Sequence, residues 1–268
     1  MKSVAFIHAH PDDEALLSGG TLRALHQKGI KTIVIFLTNG QAGLSEEALT
    51  DDLGNLRQSE ARTSAQILGV SKTYFLSFLD SGLDPNASPE GSLSTLDFDH
   101  VAKSVAAILD IENPDVVIGY DAQGGYGHPD HIVVHHVVRT IEKQSTIPVI
   151  LEVTVDRTLI ASTLDRFRVL ISLFGKFGLI NPNDVYALAD RFSARADISY
   201  ALDVRAYAAA KRSALKAHHS QNVGGIRNLR LMTMLPLFIF KRLFGNEFYV
   251  AVRDSADNPL RTLTSTKS

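Results

Sequence analysis

Along residues 1–155, short runs of apolar, largely β-branched residues alternate with longer segments in which apolar residues recur every three or four positions. Val4–Ala9, Thr32–Thr38 and Asp115–Tyr120 are apolar runs bounded by polar residues or glycine, the pattern of strands buried on both faces. Tyr74–Ser77 and Pro148–Val153 read as two further strands. The intervening periodicity predicts helices over Glu14–Lys28, Asn55–Leu68, Phe98–Ile111 and His131–Lys143. Gly29 and Gly69 stop the first two, and Pro114 follows the third. This alternation predicts an α/β fold, Rossmann-like, with a mostly parallel sheet and helices on both faces.

Beyond Thr154 the pattern weakens. Arg205–His218 reads as a helix and Glu247–Val252 as a strand, but Asp156 to Ala201 gives no register. The Pro-, Gly- and Ser-rich stretch Asp84–Ser94 reads as a surface loop. Two apolar stretches, Val169–Ile180 and Leu231–Phe244, are too short and too interrupted by Gly, Pro, Lys or Arg to span a bilayer. Residues 231–244 read as a buried helix or a contact between copies of the chain, with membrane-surface contact as the rival reading. No linker or repeat divides the sequence. One domain is therefore expected over 1–268, an α/β core over 1–155 and a C-terminal part, 156–268, that completes the fold and pocket.

Composition narrows the chemistry more than the fold. With 45% hydrophobic and 21% charged residues the chain belongs to the globular class. A net charge of -2 argues against a nucleic-acid surface, which normally carries a basic excess. The absence of cysteine excludes disulfides, a thiolate nucleophile and a cysteine zinc site, and fits a cytoplasmic protein. The N-terminal apolar run meets His8 and His10 too soon for a signal-peptide core.

Two clusters carry the candidate chemistry. His10-Pro11-Asp12-Asp13-Glu14 follows the first predicted strand, and His128-Pro129-Asp130-His131 follows the strand that ends at Tyr120. Ligands gather at the carboxyl ends of strands in parallel sheets, so the clusters are expected to meet at one edge, joined by Asp80 after the strand Tyr74–Ser77. A single acid at a helix start would be a dipole partner. Two His-Pro-Asp clusters at strand ends indicate a divalent metal, zinc or another ion such as Fe2+. A hydrolytic metal takes three protein ligands and keeps a position for water, and His10, Asp13 and His131 would supply such a set. A nearby carboxylate must then accept a proton from water. Residue spacing leaves open which of Asp12 and Asp13 is ligand and which is base. The second imidazole of the His128/His131 pair would stabilise an oxyanion or protonate a leaving amine, with Asp130 fixing the tautomer of its neighbour. Gly124-Gly125-Tyr126-Gly127 would let Tyr126 swing over a substrate. His8 suits a supporting role or core packing equally, and His218 is expected at the surface.

His10-Pro11-Asp12-Asp13-Glu14 together with Gly127-His128-Pro129-Asp130-His131 resembles the PIG-L/LmbE-like zinc-dependent N-deacetylases. These include the de-N-acetylase of glycosylphosphatidylinositol synthesis and the mycothiol- and bacillithiol-pathway deacetylases. Weaker matches are Thr38-Asn39-Gly40, Leu53-Gly54-x-x-Arg57-x-x-Glu60, Asp80-Ser81-Gly82, and Lys211 through Ala217-His218 to Gln221. The resemblance implies His10, Asp13 and His131 as zinc ligands and Asp12 as general base. It also implies His128 as the group stabilising charge, oriented by Asp130, and Arg57, Asp80 and Tyr126 as the lining of a sugar pocket. The implied activity is release of acetate from an N-acetylglucosamine-containing small molecule or glycoside. A homo-oligomer is compatible with the subunit-contact reading of residues 231–244. Two rival readings use the same residues: a non-haem iron oxygenase, and a non-catalytic carbohydrate-binding protein.

Overall fold

A computed structural model describes residues 2–42, 51–84, 86–166, 168, 172, 194–221 and 229–263. Seven strands form one sheet: β1 (Ser3–His8), β2 (Lys31–Thr38), β3 (Lys72–Phe78), β4 (Val116–Tyr120), β5 (Val149–Thr154), β6 (Tyr200–Asp203) and β7 (Asn246–Arg253). Their order is β3-β2-β1-β4-β5-β7-β6. The first five are parallel, whereas β7 runs antiparallel to both β5 and β6.

The apolar runs form these strands because both faces of the sheet are covered. Every residue of β1, β4 and β5 is buried, including Phe6, Ile7 and Val117. Each large apolar side chain removed from water contributes roughly 1.5–3 kcal/mol. The covering helices are α1 (Asp13–Gln27), α2 (Asp51–Leu68), α3 (Phe98–Glu112), the single turn α4 (Gly124–Gly127), α5 (Pro129–Gln144), α6 (Arg157–Arg166), α7 (Ala208–Ala217), α8 (Leu229–Met234) and α9 (Leu237–Phe244). Their starts and stops follow local chemistry. The Asp97 side chain accepts the Asp99 N–H at 2.8 Å to open α3, and Asn113 closes it at φ 44, directly before Pro114.

Strand order fixes where a site can form. The chain steps outward from β1 through β2 to β3, then returns to place β4 on the other side of β1. Loops leaving β1 and β4 therefore diverge over adjacent strand ends, the crevice where parallel α/β sheets bind ligands.

The C-terminal third completes the sheet through β6 and β7. Glu247 of β7 accepts the N–H groups of Gly20 and Thr21 in α1, each at 2.8 Å, and pairs with Lys211 of α7 at 2.7 Å. Gly20 permits this approach, since a Cβ there would lie 2.4 Å from Val204. Neither β6 nor α6 is legible in the sequence. The four residues of β6 alternate between buried and exposed, too few to give a period.

Two expectations are modified. The end of the Asp84–Ser94 segment is not at the surface: Ser92 and Leu93 are fully buried, and the Leu93 N–H donates to the Leu79 carbonyl at 2.8 Å. This contact pins the chain beside Asp80. Residues 231–244 are not one helix, because Pro236 divides them into the end of α8 and all of α9. Phe240 enters the core, while Met234 and Phe238 are 69% and 74% exposed. The run Val169–Ile180 falls, apart from Ser172, outside the described residues. Among the described residues no helix is long and apolar enough to cross a membrane.

Candidate metal centre and catalytic site

The first cluster occupies the turn from β1 into α1. Asp13 opens the helix and is 0% exposed, while its Oδ2 accepts the His10 N–H at 3.1 Å. Asp12, one residue earlier, holds φ 113 and ψ -28, a region that non-glycine residues rarely enter and that costs about 1–3 kcal/mol. Surrounding bonds hold it there. The Asp12 N–H donates to Glu14 Oε2 at 2.9 Å, and its carbonyl accepts from Ala15 and Leu16 at 3.2 and 3.0 Å. The effect is to turn consecutive acids in different directions. The Asp12 side chain keeps 10% of its exposure, with Arg57 Nη2 at 3.5 Å, whereas Asp13 is sealed beneath the imidazoles.

The second cluster follows β4. The Asp121 carboxylate accepts the N–H groups of Gln123 and Gly125 at 3.2 and 3.0 Å, shaping the glycine turn. That turn presents the Gly124 carbonyl 3.2 Å from His131 Nδ1. His128 is the N-cap of α5: its Nδ1 accepts the Asp130 N–H at 3.2 Å, and Pro129 occupies the first helical position. The imidazoles of His10, His128 and His131 pack together with ring centroids 4.4, 5.0 and 5.4 Å apart. Tyr120 stacks on His131 at 4.1 Å.

Hydrogen bonding fixes the tautomers. A carbonyl only accepts, so His131 donates from Nδ1 and turns Nε2 toward Asp13 Oδ2, 3.2 Å away. His10 Nε2 lies 3.1 Å from Asp130 Oδ2 and 3.6 Å from Asp80 Oδ1, so it is the donor, and Nδ1 faces Asp13 Oδ2 at 3.4 Å. His128 accepts at Nδ1, which leaves its proton on Nε2 when the ring is neutral. Two imidazole nitrogens thus converge on one carboxylate oxygen, each ring held from its other nitrogen, an arrangement suited to a cation between them. The 3.2 and 3.4 Å separations match the edge of a tetrahedron built with metal–ligand bonds of 2.0–2.1 Å, roughly 3.3–3.4 Å. The residues therefore fit a zinc-sized ion. Among the described residues, two overlapping groups have donor atoms all within 4.8 Å of one another: His10 with His128 and His131, and His10 with Asp80 and Asp130.

Protonation follows the same geometry. Burial pushes the Asp13 carboxyl up, but His131 and His10 more than reverse this and hold it well below the usual carboxylate range. Burial, reinforced by His10 and His131, holds His128 below the ordinary imidazole range. His128 is accordingly a neutral donor through Nε2. Burial also lowers His8, to about 4, and its Nδ1 lies 3.1 Å from the Tyr120 hydroxyl, under the stacked His131.

Several expected positions differ. The Asp130 carboxylate does not orient His128: it faces His10 Nε2 and accepts the Ser81 N–H at 3.1 Å, and only its main-chain N–H reaches His128. Arg57 and Asp80 are 2% and 3% exposed and face the chain's own groups, not an open sugar pocket. The Arg57 guanidinium donates to the Pro11 carbonyl at 2.7 Å and to the Gly40 carbonyl, tying together the loops after β1 and β2. Asp80 accepts from Ala42 and Gly82 at 3.2 and 2.9 Å. His218 is not at the surface: it is 0% exposed, because its Nε2 bonds Glu14 Oε1 at 2.8 Å. The side chain of Tyr126 lies outside what is described.

Sequence reasoning overlooked Glu14, Ser64 and Ser220. Glu14 resembled an ordinary first-turn acid. The spacing of Arg57, Glu60 and Ser64 on one face of α2 was the available signal: Arg57 holds the Pro11 carbonyl, Glu60 the segment that carries His218, and Ser64 the Glu14 carboxylate.

Comparison with known proteins agrees with this arrangement. The family model described as GlcNAc-PI de-N-acetylase, PIG-L, matches residues 5–142, which contain both clusters. The 1D-myo-inositol 2-acetamido-2-deoxy-alpha-D-glucopyranoside deacetylase of Acidothermus cellulolyticus is 30% identical over 96% of this chain and 90% of its own length. Among solved structures, the N,N'-diacetylchitobiose deacetylase of Pyrococcus horikoshii superposes with a TM-score of 0.60 at 22% identity, covering 94% of this chain and 84% of that one. The 4-carboxy-2-hydroxymuconate hydratase GalB from Pseudomonas putida has a TM-score of 0.57 at 15% identity, covering 95% and 98%. One fold thus carries enzymes of different reaction classes, and sequence similarity decides the family. With a relative similar along nearly all of its length and a family model spanning both motifs, this chain belongs to the PIG-L family of deacetylases.

Proposed function

We propose that this protein removes the acetyl group from the N-acetyl amide of an N-acetylglucosamine-containing glycoside, with a divalent cation, zinc first, held by His10, Asp13 and His131. The observation that carries the reading is the convergence of two imidazole nitrogens on Asp13 beside a second, partly accessible acid, Asp12. A zinc ion in such a site lowers the pKa of water toward neutrality and polarises the amide carbonyl.

The chain's residues supply the rest. Asp12 takes a proton from the attacking water, and the oxygen so activated adds to the amide carbon. His128 donates a hydrogen bond through Nε2 to the carbonyl oxygen as it gains charge, and being neutral it does so without repelling a neighbouring cation. The proton held by Asp12 is the one the amine needs as the C–N bond breaks, which leaves acetate and a free amine. Asp130 and Asp80 act behind His10, and Tyr126 is the residue proposed to close over the sugar.

The position of His131 depends on the glycine turn. A Cβ at Gly124, where φ is +59, would lie 2.9 Å from His131 Cβ and 3.0 Å from the Ile132 nitrogen. Gly124→Ala is expected to displace the carbonyl that holds His131 and to weaken metal affinity about 10–100-fold. Titration against a competing chelator measures this, and unchanged affinity would count against that carbonyl's role.

A screen of N-acetylated sugars and glycosides, including the inositol glycoside named for the Acidothermus relative, tests the function. Equal amounts of acetate and free amine are expected from at least one substrate. A metal-loaded preparation that releases amine from none of them, yet consumes oxygen with a 2-oxo acid or hydrates a conjugated acid, would overturn the reading.

A further inference from the structure

Asp12 sits in a left-handed conformation, and its position depends on how the Pro11–Asp12 peptide is held. Both ends of that peptide are bonded. The Pro11 carbonyl accepts from Arg57 Nη2 at 2.7 Å, and the Asp12 N–H donates to Glu14 Oε2 at 2.9 Å. Glu14 is wholly buried, so its carboxylate cannot hold this orientation without donors of its own. It has two, both on the other oxygen: His218 Nε2 at 2.8 Å and the Ser64 hydroxyl. With Oε1 bound by these donors, Oε2 is turned toward the Asp12 N–H.

His218 comes from the far end of the chain, 204 residues away, and is itself anchored. Two residues on, Ser220 donates its N–H and its hydroxyl to Glu60 at 2.8 and 2.7 Å. Glu60 lies on α2 between Arg57 and Ser64, so one helix face holds the peptide's carbonyl, one of the donors to Glu14 and the segment that carries the other. We propose that His218 is a positioning residue for the reaction: by holding Glu14 it fixes the plane of the Pro11–Asp12 peptide, and so the direction in which the Asp12 carboxylate points. This rests on the reading of Asp12 as the base. Removal of His218 lets Glu14 turn away, and the strained Asp12 backbone relaxes toward an ordinary conformation.

The test compares His218→Ala, His218→Gln and Ser64→Ala with Asp12→Asn and, as a control, His219→Ala at an exposed neighbour. Measured quantities are kcat and KM for amine release, bound metal and denaturant unfolding. His218→Ala is expected to lower kcat about 10–100-fold with KM within about threefold and metal content unchanged, because the base is misplaced and not lost. Glutamine, whose amide still donates to Glu14, should restore most of kcat, and Ser64→Ala should show a milder loss of the same kind. A folded, metal-loaded His218→Ala enzyme with wild-type kcat overturns the proposal. So does a loss in His218→Ala and His218→Gln that is equal and matches their loss of folded protein. If His218→Ala does not fold, an unchanged kcat in both His218→Gln and Ser64→Ala is the contrary result. Full activity in Asp12→Asn defeats the reading of Asp12 itself, a failure distinguishable from that of the His218 proposal.

Discussion

Asp12→Asn lowers kcat about 10²–10⁴-fold while the metal stays bound. Asparagine is the side chain least expected to disturb this position, because it matches aspartate in size and tolerates positive φ better than most non-glycine residues do. The turn, the Asp12 N–H bond to Glu14 and the ligand set are therefore preserved. Only the ability to take a proton from water is removed. Positioned acid–base groups contribute about 10²–10⁴-fold, and kcat should fall by that amount. Steady-state amine release with metal analysis on the same sample checks this. Loss of metal along with activity would mean that the two aspartates have been assigned to each other's roles.

Asp13→Ala has the opposite signature. Asp13 lies at the meeting point of His10 Nδ1 and His131 Nε2 and is sealed from solvent, so its removal leaves the imidazoles with no shared anion. Even residues that only orient metal ligands change affinity about 10–100-fold, and the loss here should exceed that range. The purified variant should carry little metal, and activity should return in part only at high added metal. The same change removes the acceptor for the His10 N–H, so the β1–α1 turn should also loosen. A variant that keeps stoichiometric metal at wild-type affinity would remove Asp13 from the ligand set.

Much of this site was legible because parallel α/β folds couple sequence pattern to location. The runs Val4–Ala9 and Asp115–Tyr120 read as strands from their apolar, β-branched character, and motifs directly after such strands must fall at one sheet edge. What pattern could not give was direction. Asp12 and Asp13 are adjacent and chemically identical, and only the left-handed backbone at Asp12 turns one outward and the other inward. Asp130 looked like a partner for the neighbouring His128, but the first turn of α5 carries its carboxylate to His10 instead. His218 appeared exposed because a short Lys-containing helix precedes two histidines. Its burial arises from a contact with Glu14 across most of the sequence, and no local period records that. β7 was legible as a strand over Glu247–Val252, but its antiparallel pairing with β5 and the addition of β6 along its other edge depend on tertiary closure and not on the β-α-β rhythm.

The central claim is that one cation sits among His10, Asp13 and His131 while Asp12 remains free to move a proton. Anomalous diffraction from crystals of the metal-loaded protein, collected on both sides of the zinc absorption edge, tests it most directly. The account predicts a single strong peak within bonding distance, about 2.0–2.2 Å, of His10 Nδ1, an Asp13 oxygen and His131 Nε2. A peak centred instead on the His10, Asp80 and Asp130 group, or one bonded to Asp12, would contradict it.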